Sequence, residues 1–272
     1  MARASKIYPA AKYNYHLVQA VLIIALLLNS CAPANYFHLA KDLKEAYPGQ
    51  PEGYLTAFDI PNSKTLLPPP PQSGTAALEH DLEITKMYLK SADTVRWRQA
   101  QIDANLDFPV SIDAFAVVLD TEISLESAPY LYLLLNRVVA DASLSTAAAK
   151  MFYKRPRPFM VNKMPTCDPE AEAYLITSGS YPSGHSAIGW TWALILSELF
   201  PDKANAILKR GWEFGESRVV CNLHWFSDVE EGRTMGSASV AALHGNKQFM
   251  HDLEKAKKEV KRITRKAAII QQ

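Results

Sequence analysis

The sequence predicts an all-α protein, a single compact helical domain built around a core helix bundle. Several long segments space their apolar residues at helical intervals, and no segment alternates apolar and polar residues as a half-buried strand does. The chain has 272 residues, of which 48% are hydrophobic and 21% charged, a composition typical of a globular protein with a full core. We expect a signal peptide and an extended, proline-rich arm to precede this domain.

The first 34 residues are typical of a secretory signal peptide. Three basic residues precede an apolar stretch at residues 17–28, and no acidic residue occurs before position 42. The apolar stretch is short for a membrane span. Three outcomes stay open: cleavage after Ala34, lipidation of Cys31 in a loose lipobox, or an uncleaved anchor.

The rest of the chain divides at its proline-rich segments. Residues 35–75, which include four consecutive prolines, predict an extended arm laid over the surface. Residues 76–246 predict the helical domain, and residues 156–182, with five prolines, predict a loop within it. Residues 247–272 predict a charged C-terminal helix that is solvated or contacts another subunit. Within the domain, apolar periodicity predicts helices over residues 76–100, 110–127, 129–153, 183–200, 203–220 and 225–244.

Composition excludes several classes of function. The formal net charge is only +1, so a general electrostatic attraction to nucleic acid is not expected. A single stretch near span length excludes a multi-pass membrane protein. Three cysteines cannot form a disulfide scaffold.

The first of three polar clusters is basic. Six residues separate Lys150 from Arg157, which Pro158 follows. A second Arg-Pro pair begins at Arg155, but the residue seven positions before it is Ala148, so only Arg157 has its lysine. Taken alone, this cluster is also typical of a solvated helix end.

The second cluster is a turn rich in glycine, proline and serine that leads directly into an apolar helix. Ser183 is a natural N-cap for that helix. The free amide groups of a first helical turn and the positive end of the helix dipole favour a bound anion. His185 stands at the edge of this anion site, although a lone histidine there can be purely structural.

The third cluster runs from Ser217 and Arg218 to His224 and Asp228. His224 and Asp228 are four positions apart, so they share a face if the segment is helical. A carboxylate bound to one imidazole nitrogen fixes the tautomer and leaves the other nitrogen free to attack. A pair that merely stabilises a helix is the alternative.

In sequence order, the three clusters match the signature of the type 2 phosphatidic acid phosphatase and vanadium haloperoxidase superfamily. That signature is Lys-x6-Arg-Pro, Pro-Ser-Gly-His and Ser-Arg-x5-His-x3-Asp, and every position is filled. Within it the chain most resembles the bacterial class A nonspecific acid phosphatases, chiefly through Gly-Ser-Tyr-Pro-Ser-Gly-His-Ser at residues 179–186. The resemblance covers residues 55–245; Ser186 and Lys154-Arg155 are departures outside the motif positions.

The resemblance implies a role for each motif residue. His224 would attack phosphorus to form a phosphohistidine, Asp228 would orient it, and His185 would protonate the leaving group and then activate water. The remaining five would bind the phosphate: Lys150, Arg157, Ser183, Gly184 and Arg218. Because cations would replace metal ions and no further Asp/His cluster is present, we predict no metal and no cofactor. Phosphate, or its analogue vanadate, can occupy the site.

Two cysteines would remain after removal of the signal peptide. Cys167 lies in the proline-rich loop, and Cys221 lies between Arg218 and His224. In an oxidising compartment these two can pair, which would tie the loop to the nucleophile segment. Two unpaired thiols are the alternative.

The resemblance implies an exported acid phosphatase of broad specificity for phosphomonoesters, with phosphoryl transfer to alcohols or nucleosides as a side activity. We expect small phosphorylated substrates, such as nucleotides and sugar or aryl phosphates, a periplasmic location and a homo-oligomer. A lipidated Cys31 would instead give an outer-membrane or surface lipoprotein. Alternatives that use the same anion site are a lipid phosphate phosphatase, a vanadate-dependent haloperoxidase, and a phosphate-binding protein without turnover.

Overall fold

The computed structural model describes residues 52–90 and 94–270. The predicted signal peptide and the first part of the predicted arm, up to residue 51, lie outside the described residues. Within the two described ranges the chain forms helices and no β-strand, which confirms the all-α prediction. In the same ranges, no helix is long and apolar enough to cross a membrane.

Twelve α-helices occur in the described part of the chain, and short 3₁₀ turns precede the fourth and the tenth. In chain order they are α1 (Ser63–Leu66), α2 (Ala76–Leu89), α3 (Val95–Ala104), α4 (Asp113–Leu119), α5 (Pro129–Ser145), α6 (Ala147–Tyr153), α7 (Pro158–Asn162), α8 (Pro169–Leu175), α9 (Gly184–Leu199), α10 (Ala204–Val220), α11 (Phe226–His244) and α12 (Lys247–Ile270).

Helix α9 lies at the centre of the bundle and packs against α5, α10 and α11. Its Trp192 is fully buried and donates its indole N–H to the Leu135 carbonyl oxygen of α5 at 3.0 Å. Glycines let the neighbouring helices approach closely. A Cβ at Gly211 of α10 would collide with Ala193, and a Cβ at Gly232 of α11 would lie 2.5 Å from a carbonyl oxygen at the start of α9.

Several helix boundaries differ from the sequence prediction. The single helix expected over residues 129–153 is divided at Thr146, whose hydroxyl donates to the Ser143 carbonyl oxygen at 2.8 Å. Such side-chain bonds compete with the helical ladder. The helix expected over residues 110–127 ends at Leu119, because Asp120 adopts a left-handed conformation with φ of 51°. The expected loop contains α7 and α8.

Helix α12 corrects the expectation of a solvated C-terminal helix. One of its faces packs on α5, and Phe249, Leu253 and Val260 on that face are buried. Glu259 is buried as well and accepts the Leu131 backbone N–H at 2.9 Å. Most of the charged residues of this segment therefore lie on the face that points away from α5.

Hydrogen bonds anchor the described part of the predicted arm to the bundle. The backbone N–H groups of Tyr54 and Leu55 each donate to the buried Asp141 carboxylate of α5 at 2.9 Å. Further along, the Pro68 carbonyl oxygen accepts the Tyr181 hydroxyl at 2.7 Å. The second contact brings the proline run next to the turn that begins α9.

Candidate active site

The three polar clusters converge where the ends of five helices meet. The residues concerned are Lys150 on α6, Arg157 at the start of α7, Ser183, Gly184 and His185 at the start of α9, Arg218 at the end of α10, and His224 and Asp228 at the start of α11. The Ser183 backbone N–H donates to the Asp228 carbonyl oxygen at 2.8 Å. Arg157 Nη1 lies 2.9 Å from His224 Nε2. Hydrogen bonds thus join both the first and the second cluster to the third.

His224 has a partner on each ring nitrogen. Arg157 approaches Nε2 at 2.9 Å, and Asp228 Oδ2 lies 3.3 Å from Nδ1. Because a guanidinium can only donate, Nε2 accepts and carries no proton. The proton of the neutral ring is therefore on Nδ1 and is donated to the carboxylate. This tautomer presents the Nε2 lone pair to the cations of the site.

Asp228 is fully buried and has several hydrogen-bond donors besides His224. It accepts the Trp225 backbone N–H at 2.9 Å, the Arg155 guanidinium at 2.6 Å and the Ser180 hydroxyl. Trp225 is the N-cap of α11, so the carboxylate also caps that helix. His224 lies just before the helix; the predicted pairing is present, but it does not come from a shared helical face.

A disulfide and an asparagine fix the turn between α10 and α11. The predicted bond between Cys167 and Cys221 is present. Asn222 adopts a left-handed conformation with φ of 60°, which asparagine tolerates better than most residues. Its side-chain N–H donates to Asn162 Oδ1 at 3.2 Å. These contacts tie the loop after α7 to the segment that carries His224.

His185 is held by a main-chain group. Its Nε2 lies 3.0 Å from the Ala104 carbonyl oxygen at the end of α3. Since a carbonyl only accepts, Nε2 carries the proton of the neutral ring and Nδ1 has the lone pair. Beside it, Ser183 is the predicted N-cap, and its Oγ accepts the Ser186 N–H at 3.3 Å. That hydroxyl therefore keeps its own proton to donate.

Cations crowd this region. Lys150 Nζ donates to the Gly179 carbonyl oxygen at 3.1 Å, and Arg157 and Arg218 are almost fully buried. Burial lowers the pKa of Lys150 to about 7, and the charges of Arg157 and Arg218 add to the effect. Burial also lowers the pKa of Arg157 to about 10. A bound anion would relieve this repulsion, so the cluster suits an anion.

The surroundings of both histidines favour the neutral ring. Burial is the largest cause that holds the pKa of His224 well below its usual value, followed by the charges of Arg157, Lys150 and Arg218. Burial, followed by Arg218, lowers the pKa of His185 in the same direction. The mutual influence of these groups shows that the structure gathers them around one position.

Four groups at this site were missed in the sequence. Arg155 was set aside because it lacks the lysine spacing, yet it binds Asp228 at 2.6 Å. Asp81 on α2 binds Arg155 at 2.7 Å, and nothing in the sequence around it signals this contact. The Ser180 hydroxyl and the Ala104 carbonyl complete the set. Only Arg155 had a signal in the sequence, because Arg155-Pro156 repeats the Arg157-Pro158 pair of the motif.

Within residues 52–90 and 94–270, no group of three or more His, Cys, Asp or Glu side chains is arranged to hold a metal ion. The charges next to the imidazole of His224 are instead those of Lys150, Arg157 and Arg218.

Comparison with known proteins places the chain in a family. The model of the PAP2 superfamily matches residues 129–249. A non-specific acid phosphatase of Providencia stuartii is 41% identical over 76% of this chain and 84% of its own length. An acid phosphatase of Zymomonas mobilis is 39% identical, covering 72% and 74%, and a non-specific acid phosphatase of Salmonella typhimurium is 38% identical, covering 73% and 80%. The chain belongs to the PAP2 superfamily.

A solved structure described as a bacterial vanadium-dependent iodoperoxidase is a more distant match. Its TM-score is 0.47 at 18% identity, and the match covers 65% of this chain and 53% of that one. The chain thus spans about half the length of that protein, and a likeness at this level does not inform activity.

Proposed function

We propose that this protein is an exported acid phosphatase that hydrolyses phosphomonoesters through a phosphohistidine at His224. The observation that carries the proposal is a neutral imidazole whose Nε2 lone pair faces a cluster of cations. A nucleophile needs the lone pair, and a phosphoryl group needs the positive charge. The names of the three relatives, acid phosphatase and non-specific acid phosphatase, support the same reaction.

In the first step, the His224 Nε2 lone pair forms a bond to phosphorus as the bond from phosphorus to the ester oxygen breaks. The ring becomes cationic and keeps its Nδ1 proton on Asp228. The leaving alkoxide takes a proton from His185. Phosphoryl transfer spreads charge over three equatorial oxygens, so fixed cations stabilise the transition state. Lys150, Arg157 and Arg218 supply them, with the Ser183 hydroxyl and the Gly184 amide as further donors.

His185 can act as an acid only when it carries a second proton, on Nδ1. Burial and Arg218 disfavour that form, but a bound phosphate anion beside the ring favours it. After the alkoxide has taken this proton, Nδ1 accepts a proton from water. The resulting hydroxide attacks phosphorus, the bond from phosphorus to His224 Nε2 breaks, and His185 is again protonated for the next cycle.

The low pKa of His224 suits catalysis in acid. A histidine with an ordinary pKa of about 6.5 would be protonated in mildly acidic solution and could not attack. Burial and the neighbouring cations lower the pKa of His224, which favours the unprotonated ring there. This charge environment supports an acidic working range for the enzyme.

Further parts of the proposal rest on sequence alone. They are export to the periplasm through the signal peptide of residues 1–34, broad specificity for small phosphomonoesters, independence of metals, and a homo-oligomeric state. Transfer of the phosphoryl group to an alcohol or nucleoside is included, because a phosphohistidine can be attacked by acceptors other than water.

The test is hydrolysis of p-nitrophenyl phosphate by the purified protein from about pH 4 to about pH 9, a range that spans histidine titration, with EDTA present. We expect activity that EDTA leaves intact, and a phosphoenzyme whose label maps to His224 after alkaline quenching. His244→Ala is the control, because His244 is exposed and pairs with Glu198 outside the site. A lack of activity at every pH, or a label on another residue, would contradict the proposal.

A further inference from the structure

A buried chain of charged side chains lies on the Nδ1 side of the His224 ring. Arg155 Nη1 is 2.6 Å from Asp228 Oδ1, and its Nη2 is 2.7 Å from Asp81 Oδ2. The exposed fractions are 8% for Arg155, 1% for Asp81 and 0% for Asp228. The mechanism proposed above gives no task to Arg155 or Asp81, although burying them is energetically costly.

Asp81 is itself fixed against the start of α11. The Ser227 backbone N–H donates to Asp81 Oδ1 at 2.8 Å, and the Ser227 hydroxyl donates to Oδ2 at 2.6 Å. Arg155 Nη1 donates to the same hydroxyl at 2.9 Å. An unbroken path of hydrogen bonds therefore runs from α2, through Arg155 and Asp228, to the imidazole.

The charges alternate along this path. Asp81 is a carboxylate, Arg155 a cation and Asp228 a carboxylate, and the His224 ring becomes cationic when Nε2 bonds to phosphorus. Arg155 alone would cancel the negative charge that stabilises that cation. Asp81 compensates Arg155, so the three side chains together keep a net negative charge facing Nδ1.

We propose that Arg155, held by Asp81, is a positioning residue for His224 and acts through Asp228. The inference rests on the proposed phosphatase function. Arg155 binds Oδ1 of Asp228, so that Oδ2 faces the Nδ1 proton of His224. Oδ2 also accepts the Trp225 backbone N–H and the Ser180 hydroxyl. This arrangement keeps the ring in the tautomer whose Nε2 can attack. Arginine is required because its planar fork reaches two carboxylates at once, which a lysine ammonium does less well.

The test compares Arg155→Gln, Arg155→Lys and Asp81→Asn with Asp141→Asn in the full chain. Asp141 is the matched control, since it is a fully buried carboxylate whose hydrogen bonds go to the backbone of the described arm. One readout is the low-field proton resonance of His224 Nδ1–H, assigned by its loss in His224→Gln. The other is the rate of phosphoenzyme formation from p-nitrophenyl phosphate, with KM measured separately.

We expect Arg155→Gln to shift or abolish the Nδ1–H resonance and to slow phosphoenzyme formation by up to about 100-fold, the scale of a small misplacement of a reacting group. KM should change little, because the phosphate-binding cations remain. Asp81→Asn should act in the same direction with a smaller effect, and Arg155→Lys should restore part of the rate. Asp141→Asn should leave both readouts unchanged.

An unchanged resonance and rate in folded Arg155→Gln would overturn the inference. If Arg155→Gln does not fold, Asp81→Asn is compared with Asp141→Asn, and identical readouts in these two variants overturn it as well. If the wild-type protein has no phosphatase activity, the proposed function is wrong. In that case the resonance alone still tests whether Arg155 positions His224.

Discussion

His224 and His185 are held in opposite tautomers by different kinds of partner. His224 carries its proton on Nδ1 and donates it to a buried carboxylate, while Arg157 donates to Nε2. His185 carries its proton on Nε2 and donates it to the carbonyl oxygen of Ala104. Charged side chains extend behind the first ring, whereas the second ring binds an uncharged main-chain carbonyl at the end of α3.

The end of α3 is nevertheless firmly held. Asp103, which precedes the carbonyl that binds His185, forms a buried ion pair with Arg210 of α10. It also accepts the Ser217 hydroxyl at 2.5 Å. The fold thus fixes the position of His185 without placing a carboxylate on its ring.

The difference matches the two proposed roles. A nucleophile becomes a cation when it is phosphorylated, so a carboxylate on its other nitrogen stabilises the intermediate. A group that alternately gives and takes a proton works best when neither form is strongly favoured. A neutral carbonyl partner holds the His185 ring in place without strongly favouring either protonation state. The bound substrate can then set the pKa of the ring.

Replacement of the proposed nucleophile should give the largest effect. His224→Ala removes the protein atom proposed to bond to phosphorus, so we expect kcat to fall by at least about 10³-fold with every substrate. Steady-state hydrolysis and phosphoenzyme trapping measure this loss. If His224→Ala still forms a phosphoenzyme, the nucleophile is another residue. The contrast between the roles of His224 and His185 would then be wrong.

His185→Ala should give a loss that depends on the leaving group. With alkyl phosphates, whose alkoxides need a proton, we expect phosphoenzyme formation to slow by about 10²–10⁴-fold, the range of general acid catalysis. With p-nitrophenyl phosphate, whose leaving group needs little protonation, the first step should persist while hydrolysis of the intermediate slows. Phosphoenzyme should then accumulate, as rapid-quench measurements can detect.

The comparison of alkyl and aryl phosphates can also contradict the roles proposed for His185. If His185→Ala slows aryl and alkyl phosphates equally, the residue does not protonate the leaving group. If no phosphoenzyme accumulates, it does not activate water either. The two results together would reduce His185 to a binding or structural residue.

The disulfide ties down the segment that carries His224. Cys167→Ala combined with Cys221→Ala should lower the free energy of unfolding by about 2–4 kcal/mol, the usual contribution of a native disulfide. Urea unfolding of wild type and double variant under non-reducing conditions measures the difference. Equal stability of the two proteins would show that the hydrogen bonds of Asn222 fix this turn unaided.

Much of this arrangement was predictable from the sequence because local signals and spacing determine it. Periodicity predicts α9, α10 and α11 nearly to their ends, and Ser183 is recognisable as an N-cap. The four-residue spacing of His224 and Asp228 predicts their contact, although the pair forms across the start of α11 and not on one helical face. These features depend on neighbours within a few positions along the chain.

The remaining features depend on contacts between distant segments. Asp81 is 74 positions from Arg155, and the Ala104 carbonyl is 81 positions from His185. Every residue type has a main-chain carbonyl, so the residue at position 104 gives no sign that it binds His185. Helix α12 was misjudged because its buried residues stand among many charged ones, and only the position of α5 shows which face is covered.

The pH dependence of stability should give the smallest effect. Burial, followed by the neighbouring cations, depresses the pKa values of His224 and His185 in the folded protein. Below about pH 6.5 the unfolded chain therefore binds protons that the native state does not. The free energy of unfolding should fall as pH falls, by up to about 1.4 kcal/mol per pH unit for each histidine.

Asp141 opposes this trend, since burial raises its pKa from 3.8 to about 6. Between those values the native state binds the extra proton, so the Asp141 contribution to stability decreases as pH rises. Urea unfolding across this range should thus give a flatter slope for His224→Gln and His185→Gln than for wild type. Asp141→Asn should give a steeper one. Histidine variants with the wild-type slope would mean that neither ring stays neutral in the folded protein, and the contrast between their tautomers would lose its basis.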